Sequence, residues 1–234
     1  GLTETAPVLT TNPLGAPRLG TVGTAVSSVE LRIADDGEIL ARGPNVMVGY
    51  YENPEATAAA IRDGWFHTGD IGHLDADGYL SITDRKKEII VTAGGKNVAP
   101  QPIEALLKRE PVVAEAMLIG DRRPYVSVLF VPDFPVLEQR LVAEGLRVQE
   151  PRELVNRTDV RALFQPIIDE ANALLASYEQ VKRFALLPVR LSVETGELTP
   201  TLKIRRRVVA EQWKAVIDEL YDSHATAVGK ADDS

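Results

Sequence analysis

The chain has 234 residues, 44% of them apolar, with 34 acidic and 26 basic side chains and a net charge of −8. That length buries a sizeable core, in one large domain or two modest ones, without a metal or disulfide staple. Cysteine is absent, which excludes disulfides, thiolate nucleophiles and thiolate zinc sites, and the acidic balance argues against nucleic acid as a partner. No apolar run reaches bilayer-spanning length and no signal peptide opens the chain, so no transmembrane segment is expected. The opening GLTETAP lacks an initiator methionine and begins inside a polar loop. A fragment of a longer polypeptide is therefore expected.

Residues 1–24 are rich in Gly, Pro and Thr and read as loop with short extended pieces. VSSVELRI and EILARG are strand candidates around the turn Asp35-Asp36-Gly37. A short helix follows, capped by Asn53, with Pro54 at its first position and Asp63-Gly64 at its end. IGHLD and YLSIT form a second hairpin around Asp75 to Gly78. Closely spaced short strands of this kind predict a small antiparallel sheet or barrel.

The texture changes after Asp84. EIIVT is a strand, AGGKNVAP a loop, and Pro100 and Pro102 open a helix with Ile103, Leu106 and Leu107 on one side. VAEAMLIG and YVSVLFV are strands joined by the Asp121–Pro124 turn, with Met117, Leu118, Val126 and Val128 as core. Helices are predicted over Val136–Ala143, Val160–Leu175 and Arg207–Leu220, with VKRFALL and VRLS as extended pieces between the last two. The tail HATAVGKADDS is small and polar and should fray. The fold class is thus α+β: an antiparallel β subdomain over residues 1–83, then an α+β domain over 84–234. Relative motion of two such units is the default when their interface is modest.

The residues that could carry chemistry cluster from Gly64 to Pro100. Asp70, in HTGDIG, has nearby glycines that let backbone approach a ligand. A carboxylate accepts two parallel hydrogen bonds and suits the vicinal hydroxyls of a ribose; the alternative is an aspartate capping the turn before Ile71. His67, with no carboxylate partner placed by the sequence, reads as structural. Asp84 to Glu88 are five successive charges, either a solvated linker or a hinge with Arg85 reaching the same ligand as Asp70. Gly94, Gly95 and Lys96 lack the GxxxxGK[ST] pattern, so a Walker-type site is rejected; they still allow a narrow crossing beside a thin substrate. Glu4 between Thr3 and Thr5 could hold Mg²⁺ near a polyphosphate, although one carboxylate is weak evidence for a metal. Lys203, in TGELTPTLKIRRR, is either a mobile point charge for a phosphoryl centre or one more basic surface residue. Asp75 and Asp77 read as turn residues, and neither triad nor glycosidase chemistry is supported.

With these residues laid out, the sequence resembles the C-terminal portion of adenylate-forming enzymes of the acyl-CoA synthetase class. GLTET, GWFHTGDIG, ITDRKKEIIVTAGGKNVAPQPIE and GELTPTLKIRR match four family motifs in order. The LTPTLK form and the long spacer from Pro132 to Val181 resemble long-chain fatty-acid–CoA ligases. The resemblance implies ATP-dependent activation of a fatty acid to an acyl-adenylate, then transfer to coenzyme A, with Mg²⁺ required. It gives Thr3 a phosphate contact, Glu4 the Mg²⁺, Asp70 the ribose with Arg85 assisting, and Asp84 the hinge. It makes Lys203 the adenylation lysine and sets Gly94, Gly95 and Lys96 beside the thiol route. The family's phosphate loop and acyl pocket have no match here, so the chain alone is expected to be inactive. A cytoplasmic location with peripheral membrane contact fits a fatty-acid substrate; the sequence sets no oligomeric state. The alternatives are a ligase for medium-chain or aryl acids, a carrier-protein loader, or a non-catalytic module keeping the fold.

Overall fold

A computed structural model describes residues 1–148 and 150–222; the tail expected to fray lies outside them. The chain divides into two compact units, Gly1–Ile89 and a second that starts at Ile90. In the first, a 3₁₀ turn at Thr3–Thr5 precedes β1 (Thr10–Thr11) and β2 (Thr24–Ala25), which pair antiparallel. There follow β3 (Glu30–Ile33), β4 (Glu38–Arg42), α1 (Pro54–Ala60), β5 (Ile61–Arg62), β6 (Trp65–Leu74) and β7 (Leu80–Arg85). β3 to β7 form a five-stranded antiparallel sheet in which β6 is the hub. It pairs with β4, and it pairs β5 at Trp65–Phe66 and β7 from Asp70 onward.

Turn chemistry sets this sheet. Gly37, at φ +84, closes the β3–β4 turn, where Asp36 Oδ1 accepts the Glu38 N–H at 3.1 Å. α1 starts as expected, with the Asn53 side chain accepting the Ala56 N–H and Pro54 at the helix start. Its end differs. The helix stops at Ala60, and Asp63 (φ +51) with Gly64 (φ +77) forms the two-residue turn between β5 and β6. An Asp-Gly pair that takes positive φ at both positions matches strand twist, so it makes a hairpin rather than a helix stop.

The second unit opens with a small hairpin, β8 (Ile90–Val91) and β9 (Asn97–Val98), and then α2 (Pro100–Leu107). β10 (Val113–Ile119) and β11 (Val126–Pro132) are antiparallel neighbours. α3 (Phe134–Ala143), α4 (Pro151–Leu154), α5 (Thr158–Ala162) and α6 (Gln165–Asn172) then lead to β12 (Val181–Leu186), which lies parallel to β11. A parallel partner requires a crossover, and these helices supply it; that is why the spacer after Pro132 is long. α7 (Arg206–Gln212) and α8 (Lys214–Glu219) complete the unit.

β11 is buried along its whole length because both faces of its sheet are covered. Val126, Val128 and Phe130 join Ile103, Leu107, Leu137 and Phe164 in one apolar cluster. Leu129 and Val131 join Met117, Val209 and Ile217 in another. The alternation is the period of two of a strand. Three predicted elements differ in detail. The helix expected over Val160–Leu175 is α5 and α6, broken where Pro166 enters the first turn of α6 and cannot donate to the preceding turn. The helix expected over Arg207–Leu220 is α7 and α8, with Trp213 at φ −102, ψ 21 between them. VRLS forms no strand.

Candidate functional site

The first unit presents one ion pair of unusual setting. Asp70 on β6 and Arg85 on β7 are directly opposed in register, with Arg85 Nε 2.6 Å from Asp70 Oδ1. Asp70 is buried at 7% exposure, whereas the Arg85 side chain is half exposed. Thr68 Oγ1 accepts the Asp70 N–H at 3.1 Å and donates to Ile39 O at 2.7 Å, which fixes the backbone beneath the carboxylate. The adjacent glycines serve the fold. Gly69 takes φ +69, and a Cβ on Gly72 would lie 2.3 Å from Ser81 O of β7.

Burial pushes the Asp70 carboxyl up, and Arg85 offsets this only in part. An acid raised in the folded state adds stability below its unfolded pKa and loses it as pH rises through the folded value. We therefore expect Asp70→Asn to raise the unfolding midpoint at neutral pH. The gain should shrink as pH falls from the raised folded value to the ordinary carboxylate value, which thermal melts at several pH values would show. A gain that grew towards acid would be contrary to this setting.

Beside this pair lies a cluster the sequence did not reveal. Glu38, 4% exposed at the start of β4, accepts the Gly69 N–H on Oε1 at 3.0 Å. Its Oε2 lies 2.8 Å from His67 Nδ1 and 2.9 Å from Lys86 Nζ. Lys86 also reaches Asp36 at 2.7 Å. Burial alone would raise the Glu38 carboxyl, but the bonds from His67, Lys86 and Gly69 outweigh it and hold it low. His67 therefore has the carboxylate partner that sequence reading failed to place. The two residues are 29 apart in sequence and meet only through the β4–β6 pairing, which no local pattern announces.

Thr3 and Glu4 sit in the first 3₁₀ turn, which the Thr5 hydroxyl holds through Leu2 O at 3.0 Å and Pro7 O at 2.9 Å. Glu4 Oε1 accepts the Tyr50 hydroxyl at 3.0 Å. Among the described residues no group of three His, Cys, Asp or Glu could hold a metal. One hard carboxylate fits Mg²⁺ only as a partial donor completed by phosphate oxygens and water. Asp84 is 2% exposed on β7, opposite Ile71, and its Oδ1 accepts the Arg85 N–H at 2.7 Å.

In the second unit, Gly94, Gly95 and Lys96 form the tip of the β8–β9 hairpin. Thr92 pins it: its carbonyl accepts the Gly95 N–H at 2.8 Å and its hydroxyl the Lys96 N–H at 3.1 Å. Gly95 takes φ +73, and no atom lies within 4 Å of where its Cβ would stand. The tip thus has a bare flank. Lys96 Nζ lies 5.8 Å from the centre of the Tyr178 ring. Lys203 is exposed on a separate loop whose stem is the Leu198–Ile204 bridge. Thr199 N–H donates to Lys203 O at 2.8 Å, and the Lys203 N–H to Thr199 Oγ1 at 3.0 Å. The backbone is fixed while the ammonium faces outward. Just after this loop, Arg206 pairs with Glu104 of α2 through both carboxylate oxygens, a second buried ion pair absent from the sequence reading.

Residues 87–225 match the family described as AMP-binding enzyme C-terminal domain. The chain is 42% identical over 226 residues to the long-chain-fatty-acid–CoA ligase FadD15 of Mycobacterium bovis, covering 95% of this chain and 37% of that protein. It is 36% identical over 258 residues to the long-chain-fatty-acid–CoA ligase ACSBG1 of Bos taurus, covering 99% of this chain and 35% of the relative. The chain thus spans little more than a third of these relatives' length. Among solved structures, ATP-bound MatB from Rhodopseudomonas palustris superposes with a TM-score of 0.65 at 28% identity, over 92% of this chain and 40% of that one. The O-succinylbenzoate coenzyme A synthetase MenE of Bacillus subtilis, in complex with AMP, gives 0.62 at 27% identity, over 88% and 39%. The match covers more than half of the 234 residues and nearly all of the second unit; the chain belongs to the family of AMP-binding enzyme C-terminal domains and is homologous to the long-chain fatty-acid–CoA ligases.

Proposed function

We propose that these residues are part of an AMP-forming long-chain fatty-acid–CoA ligase, soluble in the cytoplasm and working at the membrane periphery. The fatty carboxylate attacks the α-phosphate of ATP, giving acyl-adenylate and pyrophosphate. The thiol of coenzyme A, losing its proton, then attacks the acyl carbon and expels AMP. The observation that carries this reading is the Asp70–Arg85 pair, a buried carboxylate held beside a guanidinium at 2.6 Å, in a chain 42% identical to a curated ligase of this class.

In this reading the Asp70 carboxylate accepts the ribose hydroxyls, and the half-exposed Arg85 holds its orientation and offers charge to the nucleotide. Thr3 contacts a phosphate. Glu4 contributes to holding Mg²⁺, which supplies charge neutralisation to the polyphosphate. Lys203 lends its ammonium while negative charge builds on the α-phosphate. Gly94, Gly95 and Lys96 flank the thiol's path, where a missing side chain leaves room for a thin pantetheine arm. Residues 1–83 complete the large domain, and residues 84–234 form the domain that turns about Asp84. Adenylation wants a cation at the phosphate, whereas thiolation wants an open path to the acyl carbon, and a rotation meets both in turn.

The test uses the full-length gene product. Acid-dependent ATP–pyrophosphate exchange and thioester formation are measured across short aryl, medium-chain and long-chain acids. We expect long-chain acids to give the highest kcat/KM. Preference for short aryl acids, or transfer to a carrier-protein thiol in place of coenzyme A, would overturn the assignment.

A further inference from the structure

The geometry points to Glu38 as the residue that positions both halves of the ribose clamp, acting on Asp70 through Gly69 and on Arg85 through Lys86. The inference rests on the reading of Asp70 and Arg85 as that clamp. Gly69 directly precedes Asp70, and Lys86 directly follows Arg85. The two oxygens of the Glu38 carboxylate divide between them: Oε1 takes the Gly69 N–H at 3.0 Å, and Oε2 takes Lys86 Nζ at 2.9 Å and His67 Nδ1 at 2.8 Å.

The sheet alone holds this corner poorly. The β6–β7 ladder shifts register between Ile71 and Gly72, one residue beyond Asp70. The β4–β6 ladder shifts between Glu38 and Leu40. Each irregularity removes regular pairing where a clamp for two vicinal hydroxyls needs its spacing kept to a fraction of an ångström. One buried carboxylate of Glu38 fills the β4–β6 gap through Gly69 and holds the chain just past the end of β7 through Lys86. Stability alone does not call for an ionised group at a site 4% exposed, since a well-packed apolar residue there would avoid the desolvation cost. Lys86, at 45% side-chain exposure, is held down by Glu38 and Asp36 together. That restrains the backbone from which the Arg85 side chain departs.

The experiment compares Glu38→Gln, Lys86→Met and Asp70→Asn in the full-length enzyme, with ATP and 2′,3′-dideoxy-ATP as nucleotides. Gln keeps an acceptor of the same length and removes the charge that holds Lys86. We expect E38Q to raise KM for ATP about tenfold, with a far smaller change in kcat, and to cut the preference for ATP over the dideoxy nucleotide by about the same factor. Lys86→Met, which releases the Arg85 side while the Glu38–Gly69 bond remains, should show about a third of the effect. A merely structural role for Glu38 would lower yield or melting temperature without touching ribose preference. If Asp70→Asn keeps that preference, the clamp reading itself fails. If Asp70→Asn abolishes it while E38Q and K86M retain it, the clamp stands and the positioning role of Glu38 is overturned. Should E38Q not fold, Lys86→Met decides: unchanged ribose preference there overturns the inference.

Discussion

Charge reversal at Lys203 is expected to lower acid-dependent ATP–pyrophosphate exchange by about a hundredfold or more, while thiolation of a supplied acyl-adenylate falls less than about threefold. The lysine stands on a loop whose backbone is fixed from both sides. Leu198 and Ile204 bridge its stem, and Thr199 bonds both the N–H and the C=O of Lys203. Glu197, 1% exposed, anchors the approach by accepting the Ser192 N–H at 3.2 Å and the Thr195 hydroxyl. The tip thus presents a single ammonium from a prepared position, and in the proposed adenylation a carboxylate there would turn attraction for developing phosphoryl charge into repulsion.

The neighbouring arginines are each engaged elsewhere, Arg206 most firmly and Arg207 only by an exposed pair. Arg205 Nη1 donates to Gly196 O at 3.2 Å, Arg206 is committed to Glu104, and Arg207 faces Glu211 at 3.6 Å along the helix. Both half-reactions are measured on the full-length enzyme, exchange with acid and ATP, and thioester formation from synthetic acyl-adenylate and coenzyme A. Equal loss in the two would remove Lys203 from the role assigned to it.

Much of the first unit was legible because its signals are local. The Asp36-Gly37 turn, the Asn53–Pro54 helix start and the hairpin around Asp75 to Gly78 each act within a few residues, whereas β6 begins at Trp65, six residues ahead of the strand expected at IGHLD. Asp70 stood out for its carboxylate among glycines, and Arg85 for its place in a charged crossing. The network behind them was hidden, because Glu38 meets His67 across 29 residues and Lys86 across 48. Such pairings depend on register, and in this corner the β4–β6 ladder slips by two residues and the β6–β7 ladder by one. A period-two pattern identifies faces but does not say which strand, at which offset, lies alongside. In the second unit, apolar spacing placed Met117, Leu118, Val126 and Val128 in the core, where they are. It ran on through Pro166 and Trp213 because hydrophobic period records which side is buried and not where the backbone turns. The glycines near Asp70 were read as leaving room for a ligand; Gly72 in fact leaves room for β7.

Replacing Glu104 with leucine is expected to cost about 3 kcal/mol of stability, the range for breaking a buried ion pair on one side. The reason lies in sheet order. β10 is an edge strand, since the three strands run β10-β11-β12. Leu118, 2% exposed, sits opposite Val128, and both its backbone groups are held on the outer side. Glu104 Oε1 accepts the Leu118 N–H at 2.6 Å, and Arg206 Nη1 donates to the Leu118 carbonyl at 3.3 Å. The ion pair thus closes the edge in place of a fourth strand. Leucine at 104 takes the paired carboxylate from a guanidinium that is 22% exposed and leaves a buried N–H short of its acceptor. Arg206→Met removes the carbonyl's donor and the guanidinium that faces both carboxylate oxygens. The double variant removes both charges of the pair together, so it should cost less than the sum of the two singles by about 2 kcal/mol. Denaturant unfolding of the four proteins gives that coupling, and amide exchange at Leu118 reports the edge directly. α2 follows the Gly94–Lys96 tip and α7 follows the Lys203 loop, so one carboxylate ties the bases of both segments. An E104L protein with unchanged stability and a still-protected Leu118 amide would mean that neighbouring groups, not this pair, close the sheet.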